Sequence, residues 1–233
     1  MDGSGGFDGI LVAAHELKGP LATLRQLALS FDGLDFEGEQ IRDEMVEVSE
    51  RAIRQVNDLT KMRRLEDGLF EMEPVAVCSV CDEVSRELKY LFRENARGLK
   101  VSYRCRNGLA VANRELLRSV VYNFLINAMH YAGEGTEAKM TVREVRDRVR
   151  VDIRDFGPAL PVDIWREMQK GFIEKPTSIA MRPGSSGLGL FIASRFSRYM
   201  NAKVGAVRHR DGTSFYVELL KSKQASLFDD FCN

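Results

Sequence analysis

The chain has 233 residues, of which 44% are hydrophobic and 29% charged, and its 34 basic residues balance 34 acidic ones. This composition is typical of a soluble globular protein with one large or two modest domains. The neutral balance excludes the strongly basic class of nucleic-acid-binding proteins. No apolar run approaches the roughly 18 residues of a membrane span, so we expect no membrane segment in this chain.

The four cysteines, Cys78, Cys81, Cys105 and Cys232, are too few and too scattered for a disulfide framework. We therefore expect a reducing, cytoplasmic location. Cys78 and Cys81 form a C-x-x-C pattern, but no second Cys/His pair completes a metal site. Buried core thiols are favoured over a redox or metal role.

A heptad pattern in the first part of the chain predicts two helices. Spacings of four and three residues relate the apolar positions Ile10, Ala14, Leu17, Leu21, Leu24, Ala28 and Phe31. After the turn-rich break FDGLDFEGE (31–39), the spacing returns at Ile41, Met45, Val48, Ala52, Gln55, Leu59 and Met62, widened by Ile53 and Val56. We expect an antiparallel helical hairpin that dimerises into a four-helix bundle to bury these wide stripes.

The segment HELKGPL (15–21) interrupts the first helix. His15 falls one position past the stripe residue Ala14 and is expected to face solvent beside Glu16. Pro20 cannot donate to the carbonyl of Glu16, and Gly19 adds backbone freedom, so the helix is weakened beside the histidine. An exposed histidine with an incidental kink is the alternative interpretation.

Heptad spacing stops near 67–75, and the remainder mixes helices with short strands. This mixture predicts an α+β sandwich with helices on one face of a sheet. We expect helices at 77–96, 113–132, 162–169 and from about 187, and strands at 100–105, 109–112, 139–146, 148–155, 203–208 and 213–220.

Polar side chains form one stripe on the helix that contains NFLINAMHY (123–131). Asn123, Asn127 and His130 are spaced i, i+4, i+7, and Tyr131 borders them. Amides on a packed helix are costly unless they bind something, and amide oxygens suit Mg²⁺, which usually enters with phosphates. A solvated polar face is the competing interpretation.

The strand in VRVDIRDFGPALP (149–161) points Val149, Val151 and Ile153 inward, and Asp155 continues that face. A carboxylate there, followed by Gly157, can accept a hydrogen bond from an exocyclic amine such as that of adenine. An aspartate that caps the turn explains the pattern equally well.

The glycine-rich segment GSSGLGL (184–190) leads into a helix, whose N-terminal N–H groups would face an anion. Such a loop is a weak signal by itself, and no lysine follows to make it a Walker-type phosphate loop. The polar stretch 171–187 before it is typical of a mobile lid.

Together and in this order, these segments resemble the sensor histidine kinases of two-component signalling. HELKGPL resembles the phosphoacceptor H box, NFLINAMHY the N box, DFGPA the G1 box and GSSGLGL the G2 box, while Gly171-Phe172 stands at the F box. The resemblance covers about 8–220. It implies an ATP-binding sandwich like that of gyrase and Hsp90 behind a phosphoacceptor hairpin.

The resemblance also implies roles for individual residues. His15 would attack the γ-phosphate of ATP and Glu16 would take or orient its second ring proton. Mg²⁺ would bind Asn127, and the adenine N6 amine would meet Asp155. The rest of the nucleotide site would comprise Asn123, His130, Tyr131, Gly157, Lys175, Arg182, Gly187, Leu188 and Gly189. Three residues depart from the family pattern: His130 stands in place of a frequent Lys or Arg, Ala159 in place of a glycine, and Gly19 where many members carry the Thr or Asn used to dephosphorylate their partner.

The resulting expectation is a leader or cloning remnant at 1–7, a dimerising phosphotransfer hairpin at 8–67, a catalytic ATP-binding domain at 68–221 and a tail at 222–233. Such a kinase would autophosphorylate His15 and pass the phosphoryl group to an aspartate of a response regulator receiver domain. The sensor or input domain would be missing from this chain, and no nucleic acid is expected as a partner. A non-catalytic dimeric adaptor and a gyrase-like ATPase are the alternatives.

Overall fold

The computed structural model describes residues 20–31, 36–105, 108–133, 135–162, 165–166 and 188–223. The chain divides into two compact units between Gly68 and Leu69. Among the helices that are described, none is long and apolar enough to cross a membrane.

The described residues of the first unit are almost all helical. Residues 20–30 form helix α1, and α2 runs over Phe36–Glu66. The second helix therefore begins inside the segment predicted as a break, and that prediction is wrong for 36–39. One glycine inside a helix costs only about 1 kcal/mol, and the acidic residues around Gly38 favour a helix N-terminus.

The heptad stripe of α2 is partly buried within the first unit. Ala52 is buried, and the other stripe positions from Ile41 to Met62 are half-buried. The two residues that widen the stripe are exposed, Ile53 by 57% and Val56 by 45%. A wide apolar stripe on one chain is thus only half covered by that chain.

The described residues of the second unit form seven strands and three helices of more than ten residues. The strands are β1 (Glu73–Ala76), β2 (Gly98–Arg104), β3 (Leu109–Ala112), β4 (Glu137–Val145), β5 (Arg148–Arg154), β6 (Lys203–His209) and β7 (Gly212–Leu220). The helices are α3 (Val77–Glu94), α4 (Arg114–Tyr131) and α5 (Leu188–Tyr199). Of the helix predicted at 162–169, only Val162, Trp165 and Arg166 are described, and all three are helical.

Five strands form the main sheet in the order β2-β4-β5-β7-β6. The pair β2–β4 is parallel and the other three pairs are antiparallel. In β5, Val149, Val151 and Ile153 are buried while the residues between them are half-exposed, as the two-residue period of a strand requires.

The three helices cover one side of this sheet. Helix α4 packs between α3 and α5 and also contacts β5, while α3 lies on β2 and α5 on β6. The core between the two layers includes the fully buried side chains of Phe92, Leu117, Phe124, Met140, Ile153, Phe196 and Phe215. This two-layer arrangement confirms the predicted α+β class and sandwich; dimerisation of the first unit stays a prediction.

Strand β1 was not expected from the sequence. It pairs antiparallel with β3 in a separate two-stranded sheet, in the register Glu73↔Ala112 and Ala76↔Leu109. The strand has four residues, and Pro74 at its second position is typical of an edge strand. Proline in a short segment argues against a strand, and 73–76 overlaps the expected domain boundary at 67–75, so the sequence does not indicate β1.

Helix α4 has a well-defined N-terminus, which yields a prediction about stability. The Asn113 side chain accepts hydrogen bonds from the backbone N–H groups of Glu115 and Leu116, and its own amide donates to the Glu71 carbonyl. Asn113→Ala should lower the free energy of unfolding by about 1 kcal/mol, because the capping acceptor is lost. Asn113→Asp keeps that acceptor and is the matched control.

Urea unfolding followed by fluorescence of Trp165, the only tryptophan, measures this change in the second unit. If Asn113→Ala and Asn113→Asp unfold at the same urea concentration as the unmodified chain, the cap does not stabilise α4.

Candidate functional site

The polar stripe predicted on α4 lies on the side of the helix away from its buried face. Asn123, Asn127 and His130 are half-exposed, whereas Leu117, Val121, Phe124, Leu125 and Ala128 are buried. Asn123 Nδ2 donates to the Ser119 carbonyl one turn earlier, at 2.9 Å.

The amide of Asn127 has an unusual environment. Among the residues that are described, no hydrogen-bond partner reaches its buried Nδ2 atom. A half-turn of the amide exchanges its oxygen and nitrogen, so the same position can present an acceptor. An unsatisfied buried polar atom costs about 1–3 kcal/mol, and a ligand at this position would remove that cost.

This environment fits a magnesium ligand. Mg²⁺ is commonly held by one or two protein oxygens together with phosphates and water, rather than by an all-protein cage. Within the described part of the chain, no group of three or more His, Cys, Asp or Glu side chains could hold a metal ion. These residues therefore fit an arrangement in which one amide oxygen and a nucleotide bind the same Mg²⁺ ion.

Asp155 directly follows β5 and is only 1% exposed. Its Oδ1 atom accepts the backbone N–H groups of Thr213 at 3.1 Å and Gly157 at 3.2 Å. Burial raises the pKa of this carboxyl from 3.8 to about 6, although the backbone N–H groups of Thr213, Gly157 and Asp155 itself and the charge of Arg154 oppose that rise. The Thr213 and Gly157 hydrogen bonds both go to Oδ1, which leaves acceptor capacity on Oδ2 for a further donor.

Two glycines let the backbone approach Asp155 and the end of α4 closely. A Cβ atom at Gly157 would lie 1.7 Å from the backbone oxygen of Tyr131, the last residue of α4. At Gly212, where φ is +139°, a Cβ would lie 2.2 Å from the Asp155 carbonyl oxygen. A larger residue at Gly157 would displace the loop from α4, and a larger residue at Gly212 would displace β7 from Asp155.

The loop after β5, the end of α4 and β7 together form a cleft with Asp155 in its wall. The cleft has an empty volume of about 540 Å³, part of it open to solvent, and is mostly apolar in its lining. Its lining residues are Tyr131, Asp155, Pro158, Ala159, Leu160, Pro161, Thr213 and Phe215. A mostly apolar cleft with one buried carboxylate suits a flat, largely apolar ring that carries an amine donor.

Helix α5 lies close to the polar stripe. It begins at Leu188, and a Cβ on Gly189 would lie 2.6 Å from Asn123 Oδ1. Glycine at this position allows α5 to pack against α4 at the level of that amide. The structure thus brings Gly189 together with Asn123, and Tyr131 together with Asp155.

Other predicted site residues lie outside the described residues. They are His15, Glu16, Lys175, Arg182 and Gly187, and the F-box pair Gly171-Phe172 lies outside as well. Their roles stay predictions.

Sequence patterns do not indicate the part of the cleft that Thr213 and Phe215 contribute. Both residues lie on β7, which pairs with β5 in the register Ile153↔Phe215. Nothing in the sequence around Thr213 indicates a site, because only the pairing with β5 brings it to Asp155. Arg208 carries no such signal either, although its Nε donates to the Leu160 carbonyl at 2.7 Å and holds the loop that lines the cleft.

The raised pKa of Asp155 predicts a pH dependence of stability. Well below pH 3.8 the carboxyl is neutral in both states, whereas well above pH 6 the folded state carries a buried charge that unfolding would relieve. Asp155→Asn keeps an acceptor for both N–H groups and carries no charge. The unmodified chain should therefore lose roughly 1–2 kcal/mol relative to Asp155→Asn between about pH 5 and pH 7.5.

Urea unfolding of both proteins at the two pH values measures this difference. A difference in unfolding free energy that does not change with pH would show that burial does not raise the pKa of Asp155.

Part of the second unit matches a known protein family. A family profile described as "Histidine kinase-, DNA gyrase B-, and HSP90-like ATPase" matches residues 112–223, from the end of β3 to just beyond β7. The alginate biosynthesis sensor protein KinB of Pseudomonas aeruginosa is 26% identical over 224 residues, which cover 90% of this chain and 36% of KinB. The chain spans between 36% and 62% of the length of the curated relatives it matches.

Two solved structures share the fold. The histidine kinase ThkA in complex with the response regulator protein TrrA has a TM-score of 0.65 at 17% identity, over 91% of this chain and 61% of that chain. Full-length ShkA in complex with AMPPNP has a TM-score of 0.60 at 21% identity, over 92% of this chain and 46% of that chain. The profile and the relatives confirm the resemblance to the sensor histidine kinases: residues 112–223 match the histidine kinase-, DNA gyrase B- and HSP90-like ATPase family, and the solved structures share the fold.

Proposed function

We propose that this chain is an ATP-dependent protein-histidine kinase, which autophosphorylates His15 and then passes the phosphoryl group to an aspartate of a response regulator. The observation that carries the proposal is the cleft beside α4, with the buried Asp155 in its wall, in a chain that also contains HELKGPL. The ATPase family match and the relatives named as sensor kinases support it.

In this proposal the cleft binds the adenine ring. The N6 amine donates to Asp155, and Tyr131 and Phe215 contribute the apolar walls. The phosphates lie against Asn123, His130 and the N–H groups at the start of α5, with Lys175 and Arg182 as cations. Gly157, Gly187, Leu188 and Gly189 complete the nucleotide site. The AMPPNP complex of ShkA, which has the same fold, supports a nucleotide here.

Asn127 is the proposed protein ligand of Mg²⁺. The ion would neutralise charge on the transferring phosphoryl group. The chain's own contribution is a buried amide that is already held on a packed helix, so little ordering is needed when the ligand enters.

The proposed chemistry is an in-line displacement at the γ-phosphorus. A lone pair of a neutral His15 ring nitrogen forms the N–P bond as the bond from phosphorus to the β,γ-bridging oxygen breaks, and ADP leaves with that electron pair. Glu16 accepts the proton from the other ring nitrogen, so that positive charge does not build up on the phosphorylated ring. Imidazole is suited to this role because its ordinary pKa of about 6.5 leaves it largely neutral at pH 7.

The proposed assembly is a homodimer through residues 8–67. Its support is the apolar surface that the first unit exposes, including Leu21 at 59%, Leu29 at 74% and Ile53 at 57%. Such a surface on one chain indicates a partner helix surface. The complex of ThkA with TrrA supports a response regulator receiver domain as the second partner. A separate input domain and a cytoplasmic location remain part of the proposal.

A non-catalytic adaptor is not favoured. An adaptor has no use for the destabilising burial of the Asp155 carboxyl or for the Asn127 amide nitrogen, which no described residue satisfies, and both features are present. A gyrase-like ATPase would need neither His15 nor the heptad hairpin.

The first prediction from this proposal concerns the nucleophile. His15→Gln should abolish incorporation of label from [γ-³²P]ATP with Mg²⁺, while nucleotide affinity stays within about twofold, because the cleft residues belong to the other unit. The label on the unmodified chain should be labile in acid and stable in base. Nucleotide affinity is measured by calorimetric titration.

His209→Gln is the matched control for His15→Gln. The chain has three histidines, and His209 lies outside the proposed site, where its Nε2 hydrogen-bonds Ser214 Oγ at 2.8 Å. It should label normally. Acid-labile label on the His15→Gln protein would show that another residue is the phosphoacceptor.

The second prediction concerns recognition of the base. Asp155→Asn should weaken ATP binding roughly tenfold or more and reduce the preference for ATP over GTP, because an amide no longer selects a donor over an acceptor. Asp152→Asn is the control, since Asp152 lies on the opposite face of β5 in ion pairs with Arg143 and Arg150. Equal ATP affinities of Asp155→Asn and the unmodified chain would remove Asp155 from the base site.

A further inference from the structure

Three cysteine side chains meet where α3 begins, in a group that we call the thiol cluster: Cys78, Cys81 and Cys105. All three are thiols. The Sγ atoms of Cys78 and Cys105 are 3.2 Å apart although the residues are 27 positions apart in the chain. Cys78 lies in the first turn of α3, and Cys105 directly follows β2.

Hydrogen bonds on both sides of the cluster hold the two sulfur atoms together. The Val77 backbone N–H donates to the Gly108 carbonyl at 2.9 Å, which fixes the β2–β3 connection against the start of α3. The Tyr103 hydroxyl, two residues before Cys105, donates to the Asp82 carboxylate on α3. The proximity of Cys78 and Cys105 is therefore built into the fold.

Gly108 makes room for the sulfur atoms. Its φ is +55°, and a Cβ atom there would lie 3.0 Å from Cys78 Sγ and 3.3 Å from Cys105 Sγ. A side chain at this position would press on both thiols, whereas glycine leaves them in contact with each other.

The three thiols differ in accessibility. Cys78 and Cys105 are half-exposed, whereas Cys81 is completely buried. Burial, reinforced by the neighbouring thiols and Asp82, raises the pKa of Cys81, which keeps it protonated and unreactive. The expectation that the C-x-x-C cysteines are buried core thiols is thus correct for Cys81 and wrong for Cys78, which is half-exposed in the first turn of α3. The C-x-x-C spacing also does not show that Cys105 approaches Cys78. Since no described group of His, Cys, Asp or Glu could hold a metal, a metal role is not supported.

We propose that Cys78 and Cys105 are a reversible oxidation site, at which a peroxide converts the two thiols into a disulfide. One thiolate attacks a peroxide oxygen and becomes a sulfenic acid as the O–O bond breaks and, with H₂O₂, water leaves. The second thiolate attacks that sulfur, the S–S bond forms, and the sulfenic oxygen leaves as water. Overall, two thiols and one H₂O₂ give one disulfide and two waters.

The geometry requires a small movement only. The sulfur atoms must approach by about 1 Å to reach the S–S bond length of about 2.05 Å. The bond would tie the first turn of α3 to the β2–β3 connection across a long stretch of chain, and cross-links of this kind typically stabilise the folded state. We expect the melting temperature of the second unit to rise by roughly 5 °C on oxidation and to return on reduction.

The test uses the full chain as Cys232→Ser, which removes the fourth cysteine and prevents links between chains through it. The protein is treated with a small excess of H₂O₂, the remaining thiols are counted under denaturing conditions, and unreduced peptides are mapped by mass spectrometry. Cys81→Ala and Cys105→Ser are compared in the same background. Dithiothreitol then tests reversal.

The expected result is the loss of two thiols, a peptide cross-link between Cys78 and Cys105, and full recovery with dithiothreitol. Cys81→Ala should lose the same two thiols, and Cys105→Ser should form no such cross-link. A disulfide between Cys78 and Cys81, or oxidation to sulfinic acid without a disulfide, would overturn the proposal. Because mapping of the Cys232→Ser chain decides this by itself, the proposal stays testable if another variant fails to fold.

Discussion

The crossing of the loop after β5 over the end of α4 is the contact on which the cleft depends. At that crossing Gly157 lies so close to the Tyr131 carbonyl that no side chain fits between them. The same contact places Asp155 and Tyr131 in one wall of the cleft. From the other side, Gly212 lets β7 lie directly against Asp155, and Thr213 then donates to the carboxylate. Two glycines, distant in the sequence, therefore determine the position of one carboxylate.

That carboxylate is held at a cost to stability. Its pKa is raised because burial penalises the charged form more than two backbone N–H donors can compensate. A residue selected only for stability at this position would be apolar, like the inward residues Val151 and Ile153 that precede it on β5. A charged residue at this position is best explained if a donor that enters the cleft restores the free energy lost by burying the carboxylate. The unsatisfied amide of Asn127 supports the same interpretation on α4.

Local patterns in the sequence were sufficient to predict most elements of the second unit and the inward orientation of Asp155, since the two-residue period of β5 fixes it. They also predicted the polar stripe of α4. They could not predict β1, which is short and contains Pro74, or the contribution of Thr213 and Phe215 to the cleft. Those features depend on which strands pair, and a single short motif does not show how distant segments of the chain pair. The approach of Cys105 to Cys78 could not be predicted for the same reason.

Asp152 lies on β5 and Asp155 directly follows it, but their surroundings differ. The surroundings determine whether each carboxylate is neutralised within the protein or available to a ligand. Asp152 faces outward, where Arg143 and Arg150 pair with it, and Arg150 also bonds Glu218 on β7. Its charge is neutralised within the protein, and it has little to offer a ligand. Asp155 faces inward and is bonded by neutral N–H groups, both at Oδ1. Because the hydrogen bonds that the structure describes at this carboxylate come from neutral N–H groups, acceptor capacity remains for a donor in the cleft, and in the proposed complex the amine of adenine would supply that donor.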